Sequence, residues 1–322
     1  MCEAASGGNA SHATFVLRGF PQLQRHQRLL ALPLCACYLW ALVGNALLAL
    51  VIGSAEALHS PMHLLVCVLC LVDMLVVSAI MPSALLNLLL GWDHVSLSGC
   101  LTQMFFTHLL SSVESTLLVV MALDRYVAIC LPLRYGRIMN SLMFGRLLLF
   151  TLLRSVSIMA VLVGLAASLQ FCGSNVIQHL YCDHMALVSL ALDTDTSQAA
   201  GLAVIVCFVG VDIPLIFFSY VRILSVVLRR AAGEERLKAF HTCTTHLMVM
   251  MCFYLVGSVT FLSRNLRIPI ETDVNTFMGL TYILLPATVN PIIYGVRTKE
   301  IQNGFFTVFN LRKSIVPAEK RT

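Results

Sequence analysis

Charge is what this chain has least of. Asp, Glu, Lys and Arg make up 11% of its 322 residues, against roughly 25% in an average soluble protein. With 58% hydrophobic residues and a mean hydropathy of +0.86, an ordinary cytosolic globule is excluded. No zinc-like spacing of Cys and His and no glycine-rich phosphate loop is present, and no nucleophile-and-base pair suggests an enzyme. The formal net charge of +5 is too small and too confined to loops to point to nucleic acid. Residues 1–28 lack the apolar core of a cleavable signal peptide, so the first membrane segment is expected to act as its own signal.

Long apolar runs take the place of charge. Seven are long enough to cross a bilayer: Leu29 to Gly53, His63 to Leu90, Leu97 to Cys130, Leu147 to Leu169, Ala199 to Leu228, Ala239 to Leu262 and Thr276 to Val296. The short polar breaks between them leave no room for a separate hydrophilic domain. The expectation is one all-α membrane domain, a seven-transmembrane helix bundle over residues 29–296. An extracellular tail, 1–28, precedes it, and a cytoplasmic tail with a short amphipathic helix, 297–322, follows.

Seven spans put the termini on opposite sides, and the basic residues choose which. With the N-terminus outside, the inner segments hold fifteen of them: Arg125, Arg134, Arg137, Arg146, Arg222, Arg229, Arg230, Arg236, Lys238, Arg297, Lys299, Arg312, Lys313, Lys320 and Arg321. The outer segments hold five, Arg18, Arg25, Arg28, Arg264 and Arg267. Basic residues are retained on the inside, so the N-terminus is read as extracellular. Asn9-Ala10-Ser11, an N-x-S glycosylation acceptor, fits that side. So do Cys100, at the outer end of the third run, and Cys182, in the fourth-to-fifth loop; both face an oxidising compartment and can pair. Cys172, in the same loop, has no obvious partner.

The run from Cys100 to Cys130 organises the rest. Thr107, Ser111, Glu114, Leu118, Met121 and Arg125 recur at three- and four-residue steps, so polar and ionisable groups share one stripe that must face protein, because exposing them to lipid is costly. Asp73 likewise sits mid-run, where a carboxylate must be protonated, paired or bound to a cation. Arg154 and Asp212 also lie inside apolar runs, with no role assigned. Pro214, Pro286 and Pro291 are placed to kink their helices.

Asp124-Arg125-Tyr126 closing the third span and Asn290-Pro291-Ile292-Ile293-Tyr294 closing the seventh resemble a rhodopsin-like G-protein-coupled receptor. Pro61-Met62-His63, the string from Met121 to Cys130, Ser219-Tyr220 and the string from Lys238 to Leu247 are similar to the odorant receptor family. Phe105-Phe106-Thr107-His108, Glu114-Ser115 and His179-Leu180-Tyr181-Cys182 resemble its class I, fish-like branch. Two departures stand out: the family usually has a further loop cysteine near Leu192, and class I members often carry an arginine where Asn265 stands, beside Arg264.

The resemblance implies a plasma-membrane receptor with no cofactor. Its partners would be a small odorant, the lipid bilayer and a heterotrimeric G protein of the stimulatory, olfactory type that raises cyclic AMP. It implies a resting Asp124–Arg125 pair and a polar core of Asn45, Asp73, Glu114 and Asn290, with Asp73 and Glu114 candidates for a sodium ion. It further implies that Tyr220, Tyr254 and Tyr294 exchange partners on activation. His108, Ser111, Ser112, Cys207, Phe208, Phe261, Leu262 and Thr281 are the expected ligand contacts around an aliphatic cavity. With Asn265 in place of arginine, no fixed cation is expected there, which favours neutral odorants over short fatty acids. A retinal-type photoreceptor needs a lysine in the seventh span, and Thr276 to Val296 has none. A transporter would show paired, broken half-helices, which are not visible.

Overall fold

A computed structural model describes residues 13–171, 174–230, 233–265 and 270–309. In chain order the elements are β1 (Thr14–Leu17), α1 (Gln27–Ser54), α2 (Pro61–Leu90), β2 (His94–Ser96), α3 (Leu97–Cys130), α4 (Tyr135–Ile138), α5 (Ser141–Ala167), β3 (Val176–Ile177), α6 (His184–Val188), α7 (Asp195–Cys207), α8 (Ile213–Arg230), α9 (Gly233–Asn265), α10 (Thr272–Arg297) and α11 (Lys299–Val308). Seven helices are long and apolar enough to cross a membrane, α7 and α8 counting as one continuous span. Asn9 and Cys172 lie outside the described residues.

Local chemistry sets the helix ends. The Ser96 hydroxyl accepts from Gly99 N at 3.1 Å and starts α3; Asn140 Oδ1 accepts from Met143 N at 2.9 Å and starts α5. Each satisfies one of the orphan amides of a first turn. Because Asn140 caps it, α5 begins six residues before the apolar run at Leu147. Proline occupies the first turn of α2, and Gly91, at φ 69°, ends it in the left-handed region that favours glycine.

The bundle is arranged around α3. Of its most apolar stretch 72% is buried, against 11% for the α7–α8 span, so α3 is central and the fifth span peripheral. Gly44 on α1 lets the Pro291 ring of α10 approach closely, since a Cβ there would meet its Cγ at 3.1 Å. The fifth span is not the uninterrupted helix that Ala199 to Leu228 suggested. Phe208–Asp212 forms a π turn between α7 and α8. Such a turn accommodates an extra residue and re-aims the side chains on either side of it, and nothing in the apolar pattern marks it.

The N-terminal segment is also more than a tail. β1 is the central strand of a small sheet, antiparallel to β2 (Phe15 opposite Val95) and parallel to β3 (Val16 opposite Val176). Phe15 packs edge-on against Phe171 with ring centroids 5.3 Å apart, in a second core that includes Cys100, Met104, Cys182 and Leu187. Cys100 and Cys182 are disulfide-bonded. Gln103 completes the anchorage: its Nε2 donates to Ala79 O and Ser83 Oγ, and its Oε1 accepts from Cys182 N at 3.0 Å. The loop after α5 is thereby held as a lid over the outer end of the bundle.

Candidate functional site

Beneath that lid is a cavity of about 100 Å³, measured as space open to the centre of a water-sized sphere. One water needs roughly 10–15 Å³ on that measure, so the space takes a molecule of about seven to ten non-hydrogen atoms. From α3 it is lined by His108, Ser111, Ser112 and Ser115, and from α5 by Met159 and Leu162. The fifth span adds Gly201, Val204, Ile205, Phe208 and Val209, and α9 adds Phe253, Tyr254, Gly257 and Ser258. Tyr282 comes from α10, and Asp183, His184 and Met185 come down from the lid. No Lys or Arg is among these described residues.

Of the eight residues expected around the ligand, His108, Ser111, Ser112 and Phe208 line this space. Cys207 does not; its Sγ lies 3.8 Å from Arg154 Nη2. Leu262 is 46% exposed on the outer surface of the bundle. Thr281 donates to Phe277 O within its own helix, and its neighbour Tyr282 is the one that reaches the cavity. The Phe261 side chain lies outside the described residues. The lid residues were missed because Asp183, His184 and Met185 are the cap and first residues of α6, whose 5 residues are too few to show a helical period. One signal was available: residues just after a cysteine bonded to the top of α3 must lie over the bundle.

A polar network across four spans adjoins the cavity through Ser115, Tyr254 and Phe208. Arg154 of α5 makes a two-pronged pair with Asp212, Nη1 to Oδ2 at 3.1 Å and Nη2 to Oδ1 at 2.9 Å. Its Nη1 also donates to Thr116 Oγ1 at 2.8 Å, and the guanidinium lies 4.6 Å from the Phe208 ring centroid. Ser115 donates to Asp212 Oδ2 at 2.8 Å, and the Tyr254 hydroxyl of α9 lies 2.9 Å from Ser115 Oγ. Arg154 and Asp212 thus satisfy each other, as buried charges must. Tyr254, Ser115 and Phe208 belong to both the network and the cavity wall.

Deeper, Asp73 Oδ2 accepts from Asn290 Nδ2 at 2.8 Å, and Asn45 Nδ2 donates to Ala41 O and Ala287 O. Asp73 Oδ1, Asn45 Oδ1, Asn290 Oδ1 and Glu114 Oε1 are buried without hydrogen-bond partners among the described residues. At the inner end, Arg125 Nη2 donates to Asp124 Oδ2 at 2.8 Å, and Tyr135 of α4 donates to Asp124 Oδ1 at 2.8 Å. Tyr126 packs half-buried against the core. The Tyr294 hydroxyl lies 3.4 Å from His246 Nδ1, and the buried Tyr220 hydroxyl has no hydrogen-bond partner among the described residues. Pro291 lies within α10.

Comparison with known proteins assigns this architecture. The family model described as olfactory receptor matches residues 34–312. The chain belongs to the olfactory receptor family. It is similar to olfactory receptor 52D1 of Homo sapiens, 40% identical over 318 residues that cover 98% of this chain and 100% of that one. Olfactory receptor 51E2 of Homo sapiens is 39% identical over 310 residues, covering 95% and 96%. The fold is that of squid rhodopsin, whose crystal structure matches with a TM-score of 0.71 at 16% identity, over 92% of this chain and 89% of that one. The receptor is therefore a multi-pass plasma-membrane protein, not an enzyme.

Proposed function

We propose that the cavity under the lid binds a small, weakly polar odorant and that occupancy activates a stimulatory, olfactory-type G protein, raising cyclic AMP. The observation that carries this is the Tyr254–Ser115 contact in the cavity wall. A ligand pressing there acts directly on a hydrogen bond joining α9 to the central helix. It shifts a pre-existing equilibrium by its differential affinity for the two packings, and by no more than that. With no Lys or Arg in the described lining, a buried carboxylate would go unpaired, so neutral odorants are favoured over short fatty acids.

At the inner end Asp124 holds Arg125, and release of Arg125 frees a permanent cation for the G protein. Leu133, fully exposed between α3 and α4, offers that partner an apolar contact on a loop that Tyr135 ties to Asp124. Tyr220 and Tyr294 take new partners as the helices move. The four unpartnered oxygens of Asn45, Asp73, Glu114 and Asn290 form an oxygen-only donor set that suits a hard cation such as sodium. Asp73 and Glu114 would hold it and Asn45 and Asn290 complete it; the ion would neutralise charge in the resting packing.

The test is a cyclic AMP assay against an odorant panel, with surface level and ligand occupancy followed in parallel. Arg125→Ala should abolish output while leaving both roughly intact. Normal signalling by that variant would mean that the mechanism is wrong.

A further inference from the structure

The polar groups of the cavity are unevenly satisfied, and the imbalance gives the ligand a direction. On the floor the protein uses its own hydroxyls: Ser112 donates to Ser155 at 2.9 Å, Ser115 to Asp212 at 2.8 Å, and Tyr254 closes on Ser115. Ser111 and Tyr282 are hydrogen-bonded to each other. At the lid the position is reversed. His184 lines the cavity, is 4% exposed, and its Nε2 has no hydrogen-bond partner among the described residues. Leaving such a group dry forfeits the hydrogen bond it makes in water, so it calls for a partner from the cavity. The side chain is also held in place. It meets the His108 ring edge-on at 6.5 Å, and Gly201 makes room for it, since a Cβ there would come within 3.3 Å of Cε1 and 3.4 Å of Nδ1.

We propose that His184 is the head-group receptor of this cavity. An uncharged oxygen of the odorant, hydroxyl or carbonyl, hydrogen-bonds to Nε2 under the lid, and the hydrocarbon remainder points down toward Phe208, Phe253 and Met159. This rests on the reading of the cavity as the odorant site and goes beyond it by fixing ligand class and orientation. Burial, with His108 adding to it and Asp183 opposing it, pushes the His184 pKa down to about 4. The imidazole is thus neutral near pH 7, with one donor and one acceptor nitrogen, and suits a neutral oxygen. A carboxylate would find no cation in the described lining and would approach the Asp183 carboxylate. His108 and Ser115 are seven residues apart on α3, about 10 Å of depth at 1.5 Å per residue, which a chain of seven carbons or so would occupy end to end.

The experiment measures cyclic AMP dose–response to 1-heptanol, 2-heptanone, heptanoate and heptane, with surface level as control. Wild type should answer the alcohol or the ketone at lower concentration than heptanoate or heptane. His184→Phe should raise the effective concentration for that odorant about tenfold, and His184→Gln, which keeps donor and acceptor, by less than about threefold. Gly201→Ala, which keeps the imidazole but crowds it, should move potency in the same direction as His184→Phe; if the latter fails to reach the surface, this variant decides. Ser258→Trp, which fills the cavity, should remove every response. A response that survives Ser258→Trp would overturn the cavity as odorant site. If Ser258→Trp silences the receptor but His184→Phe and Gly201→Ala leave potency within about twofold, the cavity stands and the head-group assignment falls. A surface-expressed wild type that prefers heptanoate, or answers none of the four, also overturns the assignment.

Discussion

Asp212→Asn tests the network under the cavity most directly. The Arg154 and Asp212 side chains are 15% and 2% exposed, and the carboxylate takes both prongs of the guanidinium together with the Ser115 proton. The substitution removes the negative charge while leaving the size unchanged. Arg154 cannot shed its proton, so it stays as a buried cation answered by one neutral amide oxygen, Thr116, the Cys207 sulfur and the Phe208 face, with no anion beside it. Breaking a buried pair from one side costs about 3–5 kcal/mol, whereas replacing both members by apolar groups of similar volume is often neutral or better. Asp212→Asn should therefore lower the apparent melting temperature of the purified receptor and its surface level sharply. The double variant Arg154→Met with Asp212→Leu should recover most of the loss. Stability and signalling should then separate, because the double variant also frees Ser115 and loosens the tie to Tyr254, changing basal or odorant-evoked cyclic AMP at normal surface level. The measurements are thermal melting in detergent and cyclic AMP output from cells matched for surface receptor. A single variant as stable as wild type, or a double variant no better than the single, would refute the reasoning.

Gly279→Leu should detach the lid, because even a Cβ at that position would come within 2.8 Å of His179 Nε2 and 2.9 Å of the Tyr181 hydroxyl; faster proteolysis of the loop around Cys182 is expected, and unchanged protection counts against it. Tyr135→Phe removes a donor from the Asp124 carboxylate, worth about 1.5–3 kcal/mol, and should raise ligand-independent cyclic AMP severalfold; an unchanged baseline would show that the tie is incidental. External acid should destabilise the receptor through His184, whose pKa falls from 6.5 to about 4, with burial as the main cause, His108 adding to the fall and Asp183 opposing it. Between those values the unfolded chain binds the proton and the folded one does not, so this contribution is complete above pH 6.5 and is lost as the pH falls toward 4. His184→Phe should blunt the loss, and equal acid sensitivity in the two proteins would exclude His184 as its source.

Much of this protein could be read from composition and spacing. Apolar runs long enough to span, separated by short polar breaks, leave a helix bundle as the only economical arrangement, because an unpaired backbone polar group cannot be left in hydrocarbon. The bounds of α3, Leu97 to Cys130, coincide with the apolar run between a capping Ser96 and the segment at Pro132. The Asp124–Arg125 pair is adjacent in sequence and needed no long-range information. What the sequence could not decide is what depends on contacts between distant segments. Arg154 and Asp212 are two charges 58 residues apart that the sequence leaves unexplained; only packing shows that they pair, with Asp212 at the end of the π turn Phe208–Asp212. β1 carries too few residues to announce a strand, and it becomes one because β2, β3 and the Phe171 ring complete its edges and its core. Helix period assigns a face but not the depth at which that face meets a neighbour. The period alone therefore puts Cys207, Leu262 and Thr281 at a cavity that Gly257, Tyr282 and the lid residues line, while His184 opens α6, a helix of 5 residues that is too short to show a period, and closes the cavity.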